Sequence, residues 1–384
     1  FLKTYIEMKK NQFYLLFIIL LLWAKALHAR EQISRNMFMV TNLNTENGLS
    51  SSRVYSIVEA EDGAMWISTK RGVDRYNGQV VTNYTLATEM QYSDASGRTI
   101  KLLQDCNRQL YAYDNKGKVY IYNKDQDAFI LKYNLLNLLG RSTVLNELLV
   151  DSKGNFWLAL DHGLYWLQAS VDEKEISQEK AKGKYILKNI YINHIQFVGQ
   201  KLLVGTSKDV YQYSLVSLKM EKKLNGFSVV SSYHDRVAHQ IWLGTFHQGV
   251  LVLDDRTWNP VSMVDFGSLL KIPQIPVRSI IPYKNDALLM AVDGAGIYAF
   301  DRVSKQTHLI LDTEGRPGSV LKGNGLYTLC CDRFCDLWVG SFSGGVDLAI
   351  PMERSLEYIT HGYLNSQSLM DNSVNDVFQS RDGK

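Results

Sequence analysis

Few residues of this 384-residue chain stand in patterns that perform catalysis. The eight histidines form no H-E-x-x-H pattern, and no G-x-S-x-G elbow, Walker loop or G-x-G-x-x-G motif links a strand to a helix. A glycosidase-like pair of carboxylates stays open, because only three-dimensional geometry could establish one. The sequence therefore predicts no catalytic residue and no cofactor.

Four cysteines offer a second kind of chemistry: Cys106, Cys330, Cys331 and Cys335. Cys331 and Cys335 flank a predicted hairpin turn, so a disulfide between them and free, packed thiols both remain open. Zinc needs four well-spaced ligands, and three clustered cysteines without a nearby pair of histidines do not supply them. No metal site is predicted.

Ligand binding is the chemistry that the remaining polar and aromatic residues favour. Aromatic faces combined with planar hydrogen-bonding groups suit sugars, and arginine and lysine suit acidic sugars. The candidate ligand-binding residues fall in predicted loops that share one face of the fold: Arg53, Lys70, Arg71, Asp161, His162, Lys208, Phe246, His247, Arg278, Asp293, Asn324 and Phe342. Among them, Arg71, His162 and His247 are expected to be needed together for binding.

An internal repeat predicts the elements that hold these loops. A unit of four parts recurs along the chain. It consists of a run rich in β-branched and aromatic residues, a turn with Asp or Gly, a run centred on Trp, and a glycine. The residues at the Trp position are Trp66, Tyr111, Trp157, Leu203, Trp242, Leu289 and Trp338. Their spacings are 45, 46, 46, 39, 47 and 49 residues, which is too regular for chance.

Each unit contains three or four short runs separated by hairpin turn signals, which is the pattern of one propeller blade. In the first unit, strands are expected at Val54–Glu59, at Met65–Thr69, at Val73–Tyr76 and near Val80–Thr85. Trp66, Trp157, Trp242 and Trp338 are expected to fill the space between blades, where burying a large aromatic side chain stabilises by about 2–3 kcal/mol. The predicted fold is all-β: a seven-bladed β-propeller of four-stranded antiparallel blades, spanning residues 36–353.

The ends of the repeat predict how the ring closes. The run near Met37–Asn42 is expected to supply the fourth strand of the seventh blade, because closure leaves no open sheet edge. Residues 354–384 repeat the pattern that precedes Val54, with Val374 and Asp382-Gly383 at matching positions. They are interpreted as the truncated start of a second propeller.

The beginning of the chain has the layout of an export signal. Met8-Lys9-Lys10 is basic, Phe13–Ala24 is an apolar run of 12 residues, and small residues follow at Ala26 and Ala29. Residues 1–29 are therefore predicted to be a signal peptide, with 1–7 an extension that is not native. The net charge of +3 from 42 basic and 39 acidic residues gives no footprint for nucleic acid.

Asn47-Gly48-Leu49, Val54, Asp62-Gly63, Trp66-Ile67 and Gly72-Val73 together resemble the two-component regulator propeller repeat. The resemblance implies the periplasmic sensor region of a hybrid two-component receptor, with a second propeller, a membrane helix, a histidine kinase and a DNA-binding domain beyond this chain. It also implies an oligosaccharide ligand, homodimerisation, membrane attachment only through those later parts, and control of carbohydrate-utilisation genes. A propeller enzyme acting on polysaccharide and a non-catalytic scaffold are the alternatives.

Overall fold

The computed structural model describes residues 38–86, 97–168, 182–261, 272–284, 286–314, 320–352 and 373. The chain divides into two units, residues 1–351 and 352–384, and the fold described below is that of the first. The predicted signal peptide and, apart from Ser373, the predicted start of a second propeller lie outside the described residues. Both stay predictions.

The regular secondary structure in the described part of the first unit is almost entirely β-strand. In chain order the strands are β1 (Phe38–Leu43), β2 (Val54–Glu59), β3 (Met65–Thr69), β4 (Val73–Tyr76), β5 (Val81–Tyr84), β6 (Ile100–Gln104), β7 (Leu110–Asp114), β8 (Lys118–Asn123), β9 (Ala128–Asn134), β10 (Leu145–Val150), β11 (Phe156–Leu160), β12 (Gly163–Leu167), β13 (Gly183–Lys188), β14 (Ile192–Val198), β15 (Lys201–Thr206), β16 (Asp209–Ser214), β17 (Met220–Asn225), β18 (Val229–Asp235), β19 (Gln240–Thr245), β20 (Val250–Asp254), β21 (Val277–Tyr283), β22 (Ala287–Val292), β23 (Gly296–Asp301), β24 (Thr307–Leu311), β25 (Leu326–Cys331), β26 (Leu337–Ser341) and β27 (Val346–Pro351). A short helix, α1 (Leu135–Leu139), and a 3₁₀ turn at Thr45–Asn47 lie between strands. Within the described ranges no helix is long and apolar enough to cross a membrane.

The strands form seven antiparallel sheets, which confirms the predicted seven-bladed β-propeller. Blades one to four are β2–β5, β6–β9, β10–β13 and β14–β17, and blade six is β21–β24. Blade five contributes β18–β20, and a single bridge between Leu253 and Pro260 continues it toward a fourth strand. We name the strands of each blade A to D outward from the axis of the ring.

The first strand of the chain closes the ring. Blade seven consists of β25, β26 and β27, and its outer strand is β1, which pairs with β27 from Phe38 opposite Pro351 to Leu43 opposite Val346. Asn42 reinforces the pairing, because its Nδ2 donates to Asp347 Oδ1 at 2.7 Å and to the Gly344 carbonyl at 2.8 Å. Closure by the N-terminal strand is the arrangement that the sequence predicted.

The tight turn between strands A and B requires one residue in the left-handed backbone conformation, with positive φ. In blades one and three that residue is glycine. Gly63 and Gly154 have φ of +84° and +81°. Cys335, which replaces the glycine in blade seven, adopts the same conformation with φ of +65°, and its N–H donates to the Asp332 carbonyl. A non-glycine residue is uncommon in this region, so the turn, rather than the residue type, dictates the conformation.

The tryptophans occupy the spaces between blades, as predicted. Trp66, Trp157, Trp242 and Trp338 are each at most 6% exposed. Each ring contacts an aromatic ring of the following blade: Trp66 with Phe129 at 5.7 Å, Trp157 with Tyr213 at 5.8 Å, Trp242 with Phe300 at 4.8 Å, and Trp338 with Tyr76 of blade one at 5.9 Å. These contacts join neighbouring sheets into one core.

The four cysteines are free. Cys331 and Cys335 stand on either side of the turn between β25 and β26 and pack against a buried apolar cluster. Of the two possibilities that the sequence left open for this pair, the structure has the free thiols.

Candidate functional site

A β-bulge recurs at the same position of the innermost strand in six of the seven blades. The register of strand A against strand B shifts around one residue in β2, β10, β14, β18, β21 and β25. The bulged residues are Tyr55, Asn146, Asn193, Val230, Arg278 and Tyr327. All six are half-buried, although each follows a fully buried residue of its strand. A bulged residue leaves the ladder and its side chain is re-aimed, so the six form a ring around the entrance of the central channel.

Tyr327, the bulged residue of blade seven, contacts the bulged residues of both neighbouring blades. The Tyr55 and Tyr327 ring centroids are 5.8 Å apart, and the Arg278 guanidinium carbon lies 5.5 Å from the centroid of Tyr327. Arg278 also lies 5.2 Å from the ring of Phe246 in blade five, and its Nε donates to Asp293 Oδ2 at 3.1 Å. Arg278 is thereby held between two aromatic rings and a carboxylate.

Two loop residues extend this group across the seam between blades seven and one. The Arg53 guanidinium carbon lies 3.8 Å from the Phe342 ring centroid, and the Phe342 and Tyr327 rings are 5.9 Å apart. Burial raises the pKa of the Tyr55 phenol, while a hydrogen bond with Arg53 opposes that rise. We call the set Arg53, Tyr55, Phe246, Arg278, Tyr327 and Phe342 the aromatic–arginine cluster.

Main-chain hydrogen bonds fix the loops that carry the cluster. The Lys70 N–H donates to the Arg53 carbonyl at 3.1 Å, and the Phe342 N–H donates to the Gly325 carbonyl at 2.7 Å. Gly345 N–H donates to the Ser52 carbonyl at 2.9 Å, which ties blade seven to the loop before blade one. The cluster is therefore presented by constrained turns and by strand ends.

Polar contacts link the inner strands of blades two, three and four. Lys101 Nζ donates to the Asn146 carbonyl at 2.9 Å, and Glu147 Oε2 accepts from the Ile195 N–H at 2.8 Å and lies 2.7 Å from His194 Nδ1. Burial would raise the pKa of Glu147, but His194, Lys101 and the Ile195 N–H together hold that pKa below its ordinary value. In these three blades, charged and amide groups therefore tie each inner strand to the next.

The two residues predicted in blade three are engaged within their own blade. His162 Nδ1 lies 2.6 Å from Asp161 Oδ1, and His162 Nε2 lies 2.7 Å from the Tyr185 hydroxyl. Burial would raise the pKa of Asp161, but hydrogen bonds from His162 and Thr143 hold it below its ordinary value. With both ring nitrogens occupied, His162 is placed to stabilise its loop.

Lys208 and His247 line a cleft between blades four and five on the same face, and the cleft adjoins the cluster, because the His247 and Phe246 ring centroids are 4.7 Å apart. The cleft has a volume of about 330 Å³, and its other lining residues are Ser207, Asp209, Gly226, Ser228 and Gln248. Asp209 is paired with Lys222, with Nζ and Oδ2 2.8 Å apart. Within the described residues, no ring contact, hydrogen bond or ion pair joins this cleft to Arg71 or His162.

Of the twelve residues predicted from sequence, the structure brings six together: Arg53, Phe246, His247, Arg278, Asp293 and Phe342. Lys70 and Arg71 lie in the turn beside Arg53, and Asn324 lies exposed in the loop before β25. Sequence reasoning missed Tyr55 and Tyr327, because it assigned binding to loops and not to the blade framework. Both directly follow the first buried residue of an inner strand, and that position could have pointed to them.

The fold is a seven-bladed β-propeller whose aromatic–arginine cluster lies on the face of the D–A and B–C loops. Residues 48–71 match the sequence family described as "two component regulator propeller". The segment covers β2, β3 and the loops around Arg53, Lys70 and Arg71. The chain thus carries the two-component regulator propeller repeat that the sequence resemblance predicted. No curated protein sequence matches the chain significantly.

Solved structures share this fold. The extracellular domain of BT3049, described as a hybrid two-component system of B. thetaiotaomicron, has a TM-score of 0.66 at 18% identity over 87% of this chain and 44% of its own. The extracellular domain of BT4673 from the same organism, which has the same description, has a TM-score of 0.62 at 18% identity over 84% of this chain and 41% of its own. A chain in a mitotic checkpoint complex structure has a TM-score of 0.56 at 10% identity over 81% of this chain and 93% of its own. The chain spans less than half the length of the two extracellular domains, and the likeness concerns the fold.

Proposed function

We propose that this chain is the extracytoplasmic, ligand-sensing part of a hybrid two-component sensor histidine kinase and response regulator. The aromatic–arginine cluster carries the proposal, because it gathers aromatic faces and planar donors at the channel entrance of a fold that extracellular receptor domains share. The matched repeat supports the same assignment. In this reading the chain itself performs no catalysis, and a kinase elsewhere in the receptor does.

The ligand in this proposal is an oligosaccharide derived from a glycan. Tyr55, Tyr327 and Phe342 offer aromatic rings to the apolar faces of sugars. Arg278 and Asp293 form a fixed donor and acceptor pair to which sugar hydroxyls can hydrogen-bond. Half-burial of the bulged residues keeps these groups ordered before a ligand arrives.

Signalling would follow from a difference in ligand affinity between two arrangements of the receptor, since a ligand with equal affinity for both shifts nothing. We place the propeller in the periplasm as one arm of a homodimer, with the membrane contacted only by other parts of the receptor. The regulated genes in this proposal are those of carbohydrate utilisation.

The proposal is tested by calorimetric titration of residues 1–384 with a library of glycan-derived oligosaccharides. We expect at least one to bind, and Tyr327→Leu and Arg278→Met each to weaken that binding about 10-fold or more, as expected for lost contacts of about 1.4 kcal/mol or more. Arg256→Met is the control, because Arg256 lies in an exposed C–D turn on the opposite face.

Unchanged affinity in both variants would place the site away from the cluster. A chain that binds no oligosaccharide would contradict the proposed ligand class, and turnover of a polysaccharide would favour the enzyme alternative instead.

A further inference from the structure

The arginines near the channel entrance differ in how their charge is balanced. Arg98 Nη2 lies 2.8 Å from Asp114 Oδ2, and Arg278 Nε lies 3.1 Å from Asp293 Oδ2. Arg53 has no carboxylate within 4.0 Å among the residues that the structure describes. Unlike Arg98 and Arg278, Arg53 therefore has no counter-charge in that part of the chain.

The environment of Arg53 fixes the plane of its guanidinium group. The group stacks on Phe342 at 3.8 Å, and it lies near the Tyr55 phenol, where it opposes the rise that burial causes in the pKa of that phenol. Stacking uses the face of a guanidinium and leaves N–H donors along its edge, which suit the paired oxygens of a carboxylate or sulfate. The side chain is thus ordered before an anion arrives, so less conformational entropy is lost on binding.

Two further cations stand beside Arg53. Lys70 and Arg71 occupy the B–C turn of blade one, where the Lys70 N–H donates to the Arg53 carbonyl at 3.1 Å and the Arg71 N–H donates to Thr69 Oγ1 at 3.2 Å. Neither side chain is in an ion pair within the described ranges. The nearby carboxyl of Asp74 is buried and accepts from the N–H and the hydroxyl of Ser50, both at 2.9 Å, so it faces the blade interior.

We propose that Arg53, assisted by Lys70 and Arg71, binds an anionic oxygen group of the ligand, either the carboxylate of a uronic acid or a sulfate ester. The inference rests on the proposed function and narrows its ligand class from oligosaccharides to acidic oligosaccharides. The charge-balanced Arg278 and Asp293 pair would then bind hydroxyl groups, while the open guanidinium of Arg53 selects for the acid.

The experiment compares each acidic oligosaccharide with its neutralised counterpart. Residues 1–384 are titrated by calorimetry with uronate oligosaccharides before and after carboxyl reduction, and with sulfated oligosaccharides before and after desulfation. We expect the acidic form to bind about 10- to 100-fold more tightly, the effect of a charge-assisted hydrogen bond worth about 1.5–3 kcal/mol. Which of the two series shows the preference identifies the anion.

Arg53→Gln should remove most of this preference while leaving the affinity for the neutralised form within about twofold. Arg236→Gln is the matched control, since it makes the same change at an exposed A–B turn of blade five on the opposite face. The preference should also fall as salt concentration rises in the wild-type chain and much less in Arg53→Gln.

Neutralised oligosaccharides that bind as tightly as the acidic ones, or an acid preference that survives in Arg53→Gln, would overturn this inference and leave the proposed function standing. If no oligosaccharide binds, the proposed function fails. A titration with inorganic sulfate, followed by NMR, then tests the anion site by itself. The Arg53 Nε–H resonance is assigned by its loss in Arg53→Gln. It shifts as sulfate is added if the anion site exists, and it stays unchanged if the site does not.

Discussion

The guanidinium of Arg53 stacks on the ring of Phe342 with 3.8 Å between its central carbon and the ring centroid. The two residues belong to opposite sides of the seam where the last blade meets the first. Arg53 precedes strand β2 of blade one, and Phe342 follows strand β26 of blade seven. One contact therefore belongs both to the closure of the ring and to the candidate binding site.

Phe342→Ala should weaken ligand binding about 10-fold or more without unfolding the protein. Phe342 is 41% exposed, so little core is lost, but Arg53 loses the ring that orients it. Calorimetry with any ligand found in the library measures the effect. Phe334→Ala is the control, because Phe334 is 78% exposed in the A–B turn of the same blade on the opposite face. Equal losses in the two variants would count against a specific role for Phe342.

Gly345→Ala should destabilise the closed ring. Gly345 has φ of +78°, and a Cβ there would overlap the carbonyl oxygen of Leu43 in β1. Gly226→Ala is the matched control, since Gly226 has φ of +84° and no atom within 4 Å of the added Cβ. The unfavourable φ costs both variants about 1–2 kcal/mol, and the overlap adds about 1–3 kcal/mol to the first alone. The free energy of unfolding from urea denaturation measures the difference. Equal losses of stability in the two variants would mean that β1 moves away from the added Cβ at little cost.

Asp347 should make stability depend on pH in the weakly acidic range. The fully buried carboxyl accepts from Lys322 N–H at 2.9 Å and from Asn42 Nδ2 at 2.7 Å, and burial outweighs these donors and raises its pKa to about 6. The folded state therefore favours the protonated acid. Its stabilising contribution is complete below the unfolded pKa of about 3.9 and is lost as the pH rises through about 6, by up to about 3 kcal/mol.

The measurement for Asp347 is the free energy of unfolding of wild type and Asp347→Asn between pH 4 and pH 7.5. The wild type should lose stability relative to the variant over this interval, because the amide does not ionise. Asp125→Asn, a change at an exposed carboxylate, should follow the wild-type curve. Parallel curves for wild type and Asp347→Asn would exclude Asp347 as the titrating group.

The thiols of Cys330 and Cys331 should resist alkylation in the folded protein. Burial raises their pKa values to about 11 and about 12, so almost no thiolate is present at pH 8. Cys106 is exposed and should react first with iodoacetamide. Mass spectrometry of peptides after timed labelling gives the order, with labelling in urea as the control. Rapid labelling of Cys331 in the native state would contradict the packing described for blade seven.

Periodicity sufficed to predict the blades because each one repeats the same physical requirements. Three features recur at nearly constant spacing: a buried residue at the position of Trp66, a left-handed backbone conformation at the position of Gly63, and a short strand on either side of that turn. Even the short step of 39 residues after Leu203 keeps blade four intact, because only three residues separate Asn225 at the end of β17 from Val229 at the start of β18.

The candidate site was less accessible to sequence reasoning, because a β-bulge depends on strand register and requires no particular residue type, so that only its repeated position in the strand could indicate it. Tyr55 and Tyr327 read as ordinary strand residues until the pairing of β2 with β3 and of β25 with β26 shows them unpaired. His162 shows the opposite difficulty, because its contacts could not be read from its residue type. Its residue type favoured a binding role, whereas its position beside Asp161 and Tyr185 occupies both ring nitrogens.

The pairing of β1 with β27 has a consequence for biosynthesis. Ribosomes make Phe38 long before its partner Pro351, so the earliest strand of the propeller stays an unsatisfied edge while six blades are being produced. Contacts so distant in sequence form slowly, and an unpaired edge invites intermolecular pairing. The ring can therefore close only after its last blade has been translated. Of the strands in this ring, Phe38–Leu43 waits longest for its partner, so it is the one that most needs protection by a folding chaperone.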